Sequence, residues 1–201
     1  MLEPMDQKFW DERYLETEQI WSNKPNPVLL EHAATLTPGR ALDLGCGEGA
    51  DARWLAGRGW QVTAVDISPV AIDRARALGD EPAITWQQAD VVVTPPPSRA
   101  FDLVSLQYFT IIKTPGDLGV RGIVDAVAVG GTLLSVFHEI PEDLEHWHDL
   151  NPHDFYEPHD IGRLLGDDWR IDIDRMQART TAPPEGSHHT HDTVLLAVRL
   201  S

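Results

Sequence analysis

Cysteine is almost missing from these 201 residues. The single Cys46 excludes an internal disulfide and any zinc site built from several thiolates. Basic residues are also scarce, 16 Lys and Arg against 32 Asp and Glu, for a formal net charge of −16. A chain so acidic is a poor match for nucleic acid or an anionic membrane, since both reward a basic surface. No apolar run approaches the 20 or so residues that cross a bilayer, and no basic start followed by an apolar centre marks an export signal. The expectation is a soluble, cytoplasmic protein. Its length suits one domain over residues 1–201.

What is present is alternation. "ALDL", "QVTAVDI", "AITWQQAD", "FDLVSLQYF" and "TLLSVFHEI" read as short buried strands. Between them lie helical stretches. "SPVAIDRARALG" has Ser68 as cap and Pro69 in its first turn, "ADARWLAGRG" ends at glycine, and "GDLGVRGIVDAVAVGG" runs into a turn. Earlier, "NPVLLEHAATL" has Asn26 as N-cap and Pro27 at its first position. Strand–helix alternation predicts a doubly wound α/β domain around a parallel sheet. At the C-terminal end "WRIDIDRMQAR" and "HDTVLLAVRL" predict a strand pair joined by "TTAPPEGSHHT".

The stretch "LDLGCGEGADARWLAGRGWQVTAVDIS" carries Gly45, Gly47 and Gly49 at alternate positions after a strand and before a helix. Such a turn brings backbone close to a ligand. A dinucleotide and S-adenosylmethionine both suit it. The dinucleotide fingerprint is G-x-G-x-x-G, whereas the spacing here is G-x-G-x-G, with Asp43 two residues before the first glycine. A carboxylate there repels pyrophosphate and suits a ligand bearing ammonium and sulfonium groups. Cys46 is a small residue lining the same turn. Asp66 ends the second strand, where it can accept both ribose hydroxyls, with Ile67 against the adenine face. Asp90 ends the third strand and can accept from an adenine amino group, with Val91 as a backbone donor. Leu106 and Gln107 end the fourth strand and border the methionine part, and Tyr108 faces the acceptor.

"LDLGCGEGA", "VTAVDIS", "QQAD" and "FDLVSLQ", in that order, resemble the class I S-adenosylmethionine-dependent methyltransferases over about residues 40–137. The resemblance implies a Rossmann-like, seven-stranded, mostly parallel sheet with an antiparallel last strand, and S-adenosyl-L-methionine as cofactor. "FWDERYLETEQIW" is similar in spacing to the cofactor-covering segment of thiopurine methyltransferases, and tellurite-resistance methyltransferases share the layout. This implies that Trp10, Tyr14 and Trp21 line the cofactor, with residues 1–36 as a covering segment and 37–201 as the core.

The histidines of "FHEIPEDLEHWHDLNPHDF" and "SHHTH" match no helix-face metal pair, so no metal site is assigned. His138 ends the fifth strand at the ligand edge and is the candidate general base. The function expected is methyl transfer to a small-molecule O, N or S acceptor. The alternative is a non-catalytic S-adenosylmethionine-binding partner or sensor. A nicotinamide oxidoreductase is disfavoured by the glycine spacing. The sequence does not fix the acceptor or the oligomeric state.

Overall fold

The structure, a computed structural model, describes residues 5–140, 151–179 and 190–201. Two helices come first, α1 (Gln7–Glu16) and α2 (Pro27–Ala33). Then follow β1 (Arg40–Leu44), α3 (Ala50–Gly57), β2 (Gln61–Asp66), α4 (Pro69–Ala77), β3 (Ile84–Gln88), β4 (Phe101–Gln107), α5 (Leu118–Asp125) and β5 (Val127–His138). The chain closes with α6 (Pro158–Leu164), β6 (Trp169–Ala178) and β7 (His191–Arg199). Local chemistry sets several boundaries. Asp6 caps α1 by accepting from Phe9 N, and Ser68 caps α4 by accepting from Ala71 N, with Pro69 in the first turn.

The seven strands form one sheet in the order β3-β2-β1-β4-β5-β7-β6. β1 to β5 pair in parallel, while β7 is antiparallel to both β5 and β6. β7 therefore runs against the other six. The chain builds outward from β1 to β3 and then returns to place β4 on the other side of β1. That reversal opens a crevice at the carboxyl ends of β1 and β4.

Alternation along the strands feeds two cores, one on each face of the sheet. Ala41, Val62, Ala64, Leu103, Leu134, Val136 and Val194 pack with α2 and α3 on one face. Leu42, Leu44, Val65, Val104, Leu133 and Leu195 pack with α5 and α6 on the other. The period of two puts Asp43, Asp66, Gln107, His138 and Asp192 on the α2–α3 face, at the same sheet edge.

Two expectations change. "AVAVGG" reads as the tail of a helix, yet α5 stops at Asp125 and β5 begins at Val127. Val127 pairs with Phe101, and the register then shifts so that Leu103 pairs with Thr132, a bulge that takes up the intervening residues. β3 ends at Gln88, so Asp90 lies two residues beyond the strand. Among the described residues no helix is long and apolar enough to cross a membrane.

Candidate functional site

The loop after β1 is tied down at its start. Gly45 N and Cys46 N both donate to Val65 O, at 2.8 and 3.0 Å. Gly45 and Gly49 have φ of +68° and +86°, a region that L side chains avoid. Space is short as well. A Cβ on Gly45 would lie 2.7 Å from Phe109 Cδ2, and one on Gly49 would lie 2.4 Å from Trp86 Cη2. The bare backbone is thus required by conformation and by close packing together.

Three buried carboxylates surround this loop. Asp66 accepts from Gly47 N through Oδ2 and from Ser68 N through Oδ1, both at 2.9 Å. Burial nevertheless pushes its carboxyl up to about 6. Asp51 accepts from Asn26 N and Asn26 Nδ2, both at 2.7 Å, and burial raises it too. Asp43 is raised well above the usual carboxylate range by burial, then by Asp51 and Asp66. Among the described residues its Oδ2 has no hydrogen-bond partner, and neither has Oε1 of Gln107, whose Nε2 donates to Ser105 Oγ at 3.1 Å. Two buried acceptor atoms without donors, in a concentration of negative charge, fit a cationic donor group. They do not fit a pyrophosphate.

The N-terminal segment lies over the loop. Trp21 Nε1 donates to Tyr14 Oη at 3.0 Å, and both side chains crowd Gly47. Arg74 of α4 fastens this cover. It donates to the carbonyls of Tyr14 and Thr17, each at 2.5 Å, and to Glu48 Oε1 at 3.0 Å, while Glu48 Oε2 accepts from Trp21 N at 3.1 Å. Burial raises the Tyr14 phenol strongly, so it stays protonated. Trp10 is not brought to the loop. It packs with Phe9, Met5, Phe155 and Ile112 in a separate apolar cluster.

The remaining residues read at strand ends are dispersed. Leu106 is fully buried and Val91 buried, both in the α5–α6 face core. Ile67 is half-buried at the loop edge, its carbonyl accepting from Gln88 Nε2 at 3.0 Å. Asp90 Oδ1 caps its own turn, accepting from Val92 N at 3.0 Å and Val93 N at 3.3 Å. Cys46 is buried between the glycines.

A second cluster forms where β4, β5 and β6 end and β7 begins. Tyr108, a non-glycine residue at φ +57°, donates through Oη to Asp192 Oδ2 at 3.0 Å. Its ring lies 4.3 Å from that of His138. His138 Nδ1 is 3.3 Å from Asp192 Oδ1, and Arg179 Nη1 donates to Asp192 Oδ1 at 3.1 Å and lies 3.0 Å from His138 Nδ1. Burial, and then Asp192, raises the Tyr108 phenol. Sequence reasoning missed Asp192, Arg179, Glu48 and Arg74. Only the strand pairing and the fold of the cover bring them in. Among the described residues no group of His, Cys, Asp and Glu is arranged to hold a metal, and His146, His148, His188 and His189 lie outside those residues.

Comparison with known proteins agrees with this geometry. Residues 41–131 match a methyltransferase domain. The thiopurine S-methyltransferase of Xanthobacter autotrophicus is 31% identical over 70% of this chain and 63% of its own length. The chain spans 22% to 63% of the length of the curated relatives it matches. A solved structure described as the conversion of a disulfide bond into a thioacetal group during echinomycin biosynthesis superposes with a TM-score of 0.71 at 22% identity, over 98% of this chain and 92% of that one. TehB of Haemophilus influenzae superposes with a TM-score of 0.65 at 17% identity, over 97% of this chain and 67% of that one. Residues 41–131 thus match a methyltransferase domain, and the chain shares its fold with solved S-adenosylmethionine-dependent methyltransferases.

Proposed function

We propose that the protein transfers the methyl group of S-adenosylmethionine to O, N or S of a small-molecule acceptor. The observation that carries this reading is Asp43, whose buried, partnerless Oδ2 stands at the mouth of the left-handed glycine loop. In this reading Asp43 takes the cofactor's ammonium, and the backbone at Gly45, Cys46 and Gly47 lies against its methionine part. Leu106 and Gln107 border that part, Gln107 offering its open Oε1. The Asp66 oxygens keep lone pairs for the ribose hydroxyls after accepting from Gly47 N and Ser68 N. Ile67 packs on the adenine, and Asp90 with Val91 receives its polar edge. Tyr14 and Trp21 cover the ligand, and Trp10 supports the helix that carries Tyr14.

The bound cofactor supplies an electrophilic methyl on a sulfonium. The chain has to hold the acceptor in line with it and keep water out. Tyr108 and His138 face the acceptor. For a hydroxyl acceptor, the His138 imidazole receives the proton. A small acceptor is favoured by the thiopurine relative's name and by a net charge of −16, which disfavours nucleic acid. A cytoplasmic location belongs to the same reading.

The test is calorimetric titration with S-adenosylhomocysteine, followed by a labelled-methyl screen of small thiols, amines and hydroxyl compounds. Wild type binds saturably, and Asp66→Ala weakens binding by about 100-fold through loss of charged hydrogen bonds. A folded protein that binds no S-adenosylhomocysteine defeats the proposal. Binding with no transfer to any compound class points instead to a cofactor-binding partner or sensor.

A further inference from the structure

Arg179 directly follows β6, and three features of its side chain are unusual together. It is largely buried, with 12% of the side chain exposed. Its Nη1 is committed to Asp192 Oδ1 at 3.1 Å and lies 3.0 Å from His138 Nδ1. Its Nε–H is buried with no partner among the described residues. The guanidinium also sits over the Tyr108 ring, 5.6 Å from its centroid. Position and orientation are therefore fixed by Asp192 and Tyr108, leaving one donor side unspent.

A native interior rarely leaves an arginine N–H unsatisfied, and such groups call for an explanation. The surroundings offer one. A crevice of about 10 Å³ is lined by Pro27, Val28, Tyr108, Gln177, Arg179 and Asp192. It opens at the sheet edge that also carries the glycine loop, since β4 and β6 end there and β7 begins there. Pro27 is the neighbour of Asn26, which is bonded to Asp51 at the start of α3. The volume is about that of one water, so the crevice marks where a ligand's terminal group would approach Arg179 and does not enclose it.

On the methyl-transfer reading above, we propose that Arg179 is an acceptor-binding residue whose free Nε side holds a carboxylate of the methyl acceptor. A guanidinium edge is a planar pair of donors that matches the two oxygens of a carboxylate. Asp192 neutralises the Nη1 end and locks the group in place, so little ordering is needed on binding. The global field of an acidic protein repels anions, which makes one pre-oriented buried cation the determinant of whether such an acceptor binds. Pro27, Val28 and Tyr108 supply apolar or aromatic surface beside that point of approach.

The probe is sodium benzoate, with benzamide as its neutral counterpart. Protein labelled with ¹⁵N-arginine and loaded with S-adenosylhomocysteine is followed by the Nε–H resonances. A resonance that disappears in Arg179→Lys should shift saturably with benzoate and stay still with benzamide. Benzoate affinity should fall about tenfold or more in Arg179→Gln and in Arg179→Lys, because lysine keeps the charge and loses the fork. S-adenosylhomocysteine affinity in both variants should match wild type, which shows that the variants are folded. A resonance indifferent to benzoate, an equal response to benzamide, or unchanged benzoate affinity in the variants overturns the carboxylate subsite. Wild type that binds benzoate and not S-adenosylhomocysteine keeps the subsite and removes its assignment to a methyl acceptor.

Discussion

At the β1–β2 end of the sheet, the polar groups gathered around the glycine loop are backbone amides and buried acids drawn from a short run of chain, Asp43 to Ser68. At the β4–β7 end, the clustered groups are four side chains, Tyr108, His138, Arg179 and Asp192, from four different strand ends. The first region depends on backbone conformation. The second depends on strand register, since β5 sets His138 opposite Asp192 and β6 sets Gln177, two residues before Arg179, opposite Asp192. A site of the first kind is fixed for one ligand. A site of the second kind can change its acceptor with a few side chains and leave the fold alone.

Mutations at the two ends should therefore separate. Asp43→Ala should weaken S-adenosylhomocysteine binding by about 100-fold, through loss of a buried charge partner. His138→Ala should change it by less than about twofold, because His138 lies in the other cluster. Calorimetry on both variants measures the contrast, and equal losses would collapse the two regions into one.

Gly49→Ala tests the backbone argument. The left-handed φ and the 2.4 Å approach to Trp86 should together cost about 2–3 kcal/mol in denaturant unfolding. Gly57, with nothing near a would-be Cβ and no left-handed φ, should lose nothing on the same change.

The buried acids predict a pH dependence of the ligand-free protein. The folded-state value of Asp66 is raised from 3.8 to about 6, so the native state binds more protons than the unfolded chain in that interval. Its contribution to stability is present below about pH 4 and is lost as pH rises through about 6, an effect of about 3 kcal/mol. Asp43, raised by its own burial, acts in the same direction. Asp125, Asp160 and Asp172 are shifted downward, so their contributions disappear only as pH falls below the ordinary carboxylate range. Melting curves of wild type and Asp66→Asn between pH 4 and 7 should converge at the acidic end and diverge toward neutrality, with the variant the more stable there. The opposite divergence would mean that the acids are paired in the empty protein.

Arg74→Ala should act on the cover alone. Without its bonds to Tyr14 O, Thr17 O and Glu48, amides in and just after α1 should exchange about tenfold faster, while β4 and β5 keep their protection. Equal acceleration in the sheet would make Arg74 a general stabilising residue.

The β1–β2 region was legible because its signals are local. A strand, three glycines at alternate positions and an acid two residues before them survive in any single sequence. Asp192 and Arg179 carried no such signal, since each becomes informative only when β6 and β7 pair. The packing of Trp10 was hidden for a related reason. Its i, i+4 spacing with Tyr14 suits one helix face, but Met5 and Phe155 offered a closer apolar surface that no local pattern reveals. Val127 was hidden because a β-branched residue after a helix serves either as its last turn or as the start of a strand.

The buried acids around the glycine loop have one more consequence, for Cys46. Burial, Asp66 and Asp43 all raise its thiol well above the usual range. A methyl donor bound at this loop would lie close to the chain's single cysteine, and thiolates are avid methyl acceptors. Held protonated, Cys46 is a poor nucleophile. Intact mass after prolonged incubation with S-adenosylmethionine should show no added methyl on the wild-type chain. On the proposed reading, the acids that favour a sulfonium would also protect the protein from methylating itself.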